Sequence, residues 1–107
     1  MAATMIERRH AARKSIDLFF NKYMGGHPYL CRSVDLSSRG AQVLTYSEPE
    51  TPEDSFSLEL RFPNASESIW VWARSIWRRQ GRQAIEFVRF ERSGLRHLRQ
   101  FLAAERR

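Results

Sequence analysis

The sequence predicts a mainly β domain: a six-stranded antiparallel β-barrel, a C-terminal α-helix and a flexible N-terminal tail. Three observations predict it. Short apolar segments with period-two alternation recur between Gly-, Pro- and Ser-containing breaks from residue 15 to residue 90. The apolar spacing then changes to three and four over Leu95, Leu98, Phe101 and Leu102. Finally, 107 residues with 42% apolar and 12% aromatic content suit one core and exclude a disordered chain.

Residues 1–13 have few large apolar side chains and end in Glu7-Arg8-Arg9-His10-Ala11-Ala12-Arg13, so they read as a tail. Ser15 to Tyr23 reads as the first strand, with Ile16, Leu18 and Phe20 alternating. Gly25-Gly26-His27-Pro28 reads as a turn and Tyr29 to Leu36 as the return strand. Asp35-Leu36-Ser37-Ser38-Arg39-Gly40 is a polar break, a bulge or tight turn, before an extended segment from Ala41 to Tyr46.

Ser47 to Asp54 holds two prolines and the acids Glu48, Glu50, Glu53 and Asp54, which marks a loop. Phe56, Leu58 and Leu60 form the fourth strand, stopped by Pro63-Asn64. Ile69 to Arg79 is a long strand: Trp70 and Trp72 share one face, and Ile69, Val71, Ala73, Ser75 and Trp77 the other. Gln80-Gly81-Arg82 is a hairpin turn, Ala84 to Phe90 the last strand, and Ser93 an N-cap for the helix. The expected division is a single domain over 1–107: tail 1–13, barrel 14–90, helix 91–107.

The net charge is +6, and Lys14 and Lys22 are the only lysines among 18 basic residues. Arginine presents a planar fork that matches phosphates and the O6/N7 edge of guanine with paired bonds. Cys31 is the only cysteine, so no intramolecular disulfide forms; a buried thiol is expected. His10, His27 and His97 have no metal-ligand spacing, and no metal or cofactor is expected. No nucleophile–base pair points to an enzyme. No signal-peptide core or apolar run of about 20 residues is present, so membrane insertion is not expected and a cytoplasmic location is.

Two motifs occur together: Arg9-x-x-x-Arg13 in the tail and Asp35-x-Ser37-x-x-Gly40 between the second and third strands. In this order and spacing they resemble the RxxxR and (D/N)xSxxG signature of the bacterial PilZ family. The Trp-rich strand and the run Ile85-Glu86-Phe87-Val88, leading into a Leu/Arg-rich helix, resemble the end of a PilZ domain, so the likeness covers the chain from Glu7 onward. The resemblance implies a receptor for the second messenger cyclic di-GMP that catalyses nothing.

Each motif residue has a matching chemistry. By the resemblance, Arg9 and Arg13 hold phosphates and a guanine edge. Asp35 accepts from guanine N–H groups, Ser37 offers a small hydroxyl, and Gly40 removes a Cβ where one would obstruct. Asp35 and Ser37 also suit a turn that bonds its own backbone, and Arg9 and Arg13 alone could be solvated tail charges. Trp77, beside Arg78 and Arg79, is the candidate for stacking on a base. By the same resemblance, a basic residue just before RxxxR, here Arg8, goes with binding two intercalated nucleotides and an apolar one with binding a single nucleotide.

A receptor without an output domain needs an effector protein, unidentified by sequence. Ligand-driven ordering of the tail is the expected signal to it. Two rival readings are a small basic barrel binding single-stranded nucleic acid and a scaffold that binds no nucleotide. The acidic loop 47–54 interrupts any continuous basic track, so nucleic acid is not the expected partner; the intact motifs speak against the scaffold.

Overall fold

The computed structural model describes residues 16–63 and 65–104. Six strands form: β1 (Phe19–Met24), β2 (His27–Leu36), β3 (Gly40–Thr45), β4 (Ser55–Leu60), β5 (Ile69–Arg79) and β6 (Arg82–Phe90), followed by helix α1 (Gly94–Ala104). They close in the order β1-β2-β3-β6-β5-β4, with every neighbouring pair antiparallel and β1 bonded to β4. The fold is therefore the mainly β, six-stranded barrel with a C-terminal helix that the sequence predicts.

Alternation fills the barrel. Phe20, Cys31, Leu36, Val43, Phe56, Leu58, Leu60, Val71, Ala73 and Ile85 point inward and are almost wholly buried. Burial pushes the Cys31 thiol up to about 12, so it is a packing group without thiolate character at neutral pH. Helix α1 presents Leu98 and Leu102 to the core, and Phe101 packs on Phe62 with ring centroids 4.3 Å apart. Ser93 stands where the N-cap was expected, its carbonyl accepting from His97 N–H at 3.0 Å.

Three strand starts differ from the sequence reading by two residues or more. Strand β1 begins at Phe19 rather than Ser15, because Ile16 and Leu18 are tied to Ser33: Ser33 N–H donates to Leu18 C=O at 2.7 Å, and the Ser33 hydroxyl accepts from Leu18 N–H at 2.9 Å and donates to Ile16 C=O. Ile16 and Leu18 nonetheless pack on the core. The first turn is Gly25-Gly26 alone, both at positive φ, and His27 and Pro28 belong to β2, where Pro28 lies opposite Tyr23. On β6, Arg82 and Gln83 already pair with Arg79 and Arg78, so the turn contracts to Gln80-Gly81.

The fourth difference changes a face. Ser75 pairs with Ile85, but Trp77 pairs with Ala84, leaving Ile76 as an extra residue in β5. A bulge of this kind breaks the two-residue period. Trp77 therefore leaves the inner face it was expected to share with Ala73 and Ser75, and Arg78 takes the inner side opposite buried Gln83.

Lys22 is an inward residue that alternation alone assigns to an apolar place. It is 0% exposed, and its ammonium donates to Glu48 at 2.7 Å, Gln83 at 2.8 Å and Thr45 at 3.3 Å. Arg78 also reaches Glu48, at 3.4 Å, and Asp54, at 3.1 Å. The acidic loop is thereby clamped over one mouth of the barrel, and the buried charge is fully hydrogen-bonded.

Candidate ligand face

The polar break between β2 and β3 folds as a self-bonded turn. Ser37 N–H donates to Gly40 C=O at 2.9 Å, and the Ser37 hydroxyl oxygen accepts from Arg39 N–H at 3.1 Å and Gly40 N–H at 3.3 Å. Ser37 is 1% exposed, so its hydroxyl shapes the turn from beneath. Gly40 is crowded by backbone: a Cβ there would lie 2.2 Å from Ile85 O. Only glycine lets β3 approach β6 this closely.

Asp35 owes its direction to a second bulge. Ser33 pairs with Val43 and Asp35 with Gln42, so Val34 is the extra residue in β2. Ser33 points inward, and Asp35, two residues on, points outward. One carboxylate oxygen of Asp35 accepts from Gln42 N–H at 3.2 Å.

The register continues around the barrel. Asp35 is opposite Gln42, Gln42 opposite Ala84, and Ala84 opposite Trp77. Directly opposed residues share a face, so Asp35, Gln42, Ala84 and Trp77 form one lateral row on the outside of β2-β3-β6-β5. The next row holds Arg32, Leu44, Arg82 and Arg79. Arg32 is held by Asp17 at 2.5 and 2.6 Å, and that guanidinium keeps the Asp17 carboxyl below its usual range. Arg79 lies over the Trp77 ring, 5.4 Å from its centroid.

The structure thus brings Asp35, Ser37, Gly40 and Trp77 to one side of the barrel. Arg8, Arg9 and Arg13, and the tail 1–13 that carries them, lie outside the described residues. Sequence reasoning missed Gln42 and Ala84; the signal was the pair of bulges, which shift the period in β2 and β5 so that these two residues link Asp35 to Trp77. Among the described residues no group of His, Cys, Asp and Glu could hold a metal ion, and no helix is long and apolar enough to cross a membrane.

The protein is thus a closed six-stranded barrel with a polar, arginine-lined outer face. Comparison with known families matches residues 7–104 to the PilZ domain, and the chain belongs to that family. PilZ domains are generally cyclic di-GMP-binding domains, receptors rather than enzymes. A search of curated proteins found no match.

Proposed function

We propose that this protein is a cytoplasmic bacterial receptor for cyclic di-GMP, with the ligand lying on the outer face of β2-β3-β6-β5. Membership of the family supports the ligand class. The observation that carries the site is the single row from Asp35 to Trp77. Three strand spacings separate its ends, about 14 Å. That span is too wide for one base and suits a ligand with two guanines on a phosphodiester ring, or an intercalated pair of such ligands.

In this reading Asp35 accepts from guanine N–H groups, and Trp77 provides a stacking surface for a base. Ser37 and Gly40 act by fixing the turn that positions Asp35. Arg8, Arg9 and Arg13 supply the cations for phosphates and guanine edges, so binding draws residues 1–13 onto the barrel face. A changed tail and surface then present themselves to an effector protein. Calorimetric titration with cyclic di-GMP tests the proposal: saturable binding with a stoichiometry of one or two per chain is the expected result, and two supports the role given to Arg8. Absence of binding, or binding of a single-stranded oligonucleotide in its place, overturns it.

A further inference from the structure

We propose that Arg79 and Arg82, at the base of the β5–β6 hairpin, form a phosphate-holding pair that extends the ligand face beyond the motif residues. The inference rests on the cyclic di-GMP reading and adds two binding residues to it.

Hairpin geometry sets the pair. Gln80 at φ 50° and Gly81 at φ 79° make a two-residue turn of the left-handed kind, which places Arg79 directly opposite Arg82. Like charges in directly opposed positions of a ladder repel and destabilise it. Four strongly basic or polar positions in five residues, Arg78 to Arg82, could have been arranged with a carboxylate opposite either arginine. Instead, neither Arg79 nor Arg82 forms an ion pair among the described residues, whereas Arg32, Arg61, Arg74 and Arg78 all do. Arg39 and Arg89 also form no ion pair among the described residues, but Arg79 and Arg82 are the arginines among them that stand directly opposite each other on a ladder.

Their surroundings orient them toward the site. Arg82 Nη1 donates to Gln42 Oε1 at 2.8 Å, and Gln42 N–H donates to Asp35. Arg79 lies against Trp77. Between these two anchors sits Ala84, the smallest side chain of the row, opposite both Gln42 and Trp77. The arrangement is a low floor bounded by a carboxylate at one end, an indole at the other and two cations along one side.

The chemistry that fits is a planar base joined to a phosphodiester. Arg79 covers the indole surface a guanine would use, so a base entering there displaces it. A phosphate beside the base gives the displaced guanidinium an anion in exchange for the ring, and Arg82 closes on the same group with its remaining N–H donors. The ligand also removes the repulsion across the hairpin.

The experiment is calorimetric titration of cyclic di-GMP into the wild type, Arg79→Gln, Arg82→Gln and, as a control, Arg89→Gln, an exposed arginine of β6 opposite Trp72. Each variant is also melted without ligand. Arg79→Gln and Arg82→Gln should each weaken binding by about tenfold or more, the loss of one charge-assisted contact. Their melting temperatures should equal or exceed that of the wild type, since a repulsion is relieved. Arg89→Gln should bind as the wild type does. Unchanged affinity in the two hairpin variants, or an equal loss in all three, overturns the phosphate pair while leaving the receptor reading intact. No binding by the wild type overturns the receptor reading itself and the pair with it.

Discussion

Asp35 and Trp77 stand at the two ends of one cross-strand row, and each faces outward because its strand carries one extra residue, Val34 in β2 and Ile76 in β5. In unbroken strands Asp35 would follow Ser33, and Trp77 would follow Ser75, into the barrel. If Trp77 serves as a base platform, Trp77→Ala should lower cyclic di-GMP affinity by roughly 1–3 kcal/mol, about 5- to 150-fold. The indole is on the outer face, so the melting temperature should move little. Unaltered affinity by calorimetry would remove Trp77 from the site.

Arg9→Ala and Arg13→Ala should each weaken binding on the order of 100-fold or more, since each arginine is assigned paired, charged bonds to the ligand. Asp35→Ala should fall between these and Ser37→Ala. Asp35→Asn should bind more like the wild type, because an amide oxygen can still accept. Titration of all five variants, with circular dichroism to confirm the fold, checks the order; near wild-type binding by both arginine variants contradicts the assignment.

Glu48→Gln should destabilise the barrel by about 3 kcal/mol or more, because it leaves the Lys22 ammonium buried without its anion. Lys22→Met in the same background should recover much of the loss, since the methionine needs no counter-charge. Urea denaturation of the wild type, the single and the double variant measures it. Equal stability of the single and double variants would mean that the pair is not the source of the effect.

Glu59 predicts an acid limit to stability. Although burial works to raise its pKa, hydrogen bonds from Ser68 (2.7 Å), Asn21 (3.3 Å), Arg61 (3.3 Å) and Tyr23 (3.2 Å) hold the carboxyl below its usual value. A depressed folded-state pKa contributes stability that is complete above the unfolded value, roughly pH 4.3, and is lost as pH falls through the lower folded value. Glu59→Gln should therefore reduce stability at pH 7 and flatten its decline below pH 4 in denaturation curves. An identical acid slope in both proteins would assign the decline to other carboxyls.

Leu102→Ala should cost about 2–5 kcal/mol, the range for truncating a buried leucine, because Leu102 is one of the two helix leucines seated in the core. Its effect should appear in the melting temperature and not in ligand affinity. A melting point equal to that of the wild type would show that α1 is not docked through this stripe.

The barrel, its six strands and the helix that follows are legible in the amino-acid sequence alone. Alternation at Phe56, Leu58 and Leu60, the three-and-four spacing at Leu95, Leu98, Phe101 and Leu102, and the breaks read at Gly25-Gly26-His27-Pro28 and Gln80-Gly81-Arg82 are local patterns, and each marks one element without reference to distant residues. The motif residues were readable in the same way, as residue types at fixed spacing.

Which side of the wall those residues occupy depends on strand pairing. A bulge is a mismatch between two strands, so neither strand alone reveals it: Val34 is extra only against Val43 and Gln42, and Ile76 only against Ala84 and Ile85. The same holds for Lys22, whose burial depends on Glu48, Gln83 and Thr45 arriving from three later segments. Gly40 is required because Ile85 O, 45 positions further along the chain, comes within 2.2 Å of where a Cβ would be. Local patterns set the period of each strand, but register, and with it the face each side chain takes, is a property of pairs.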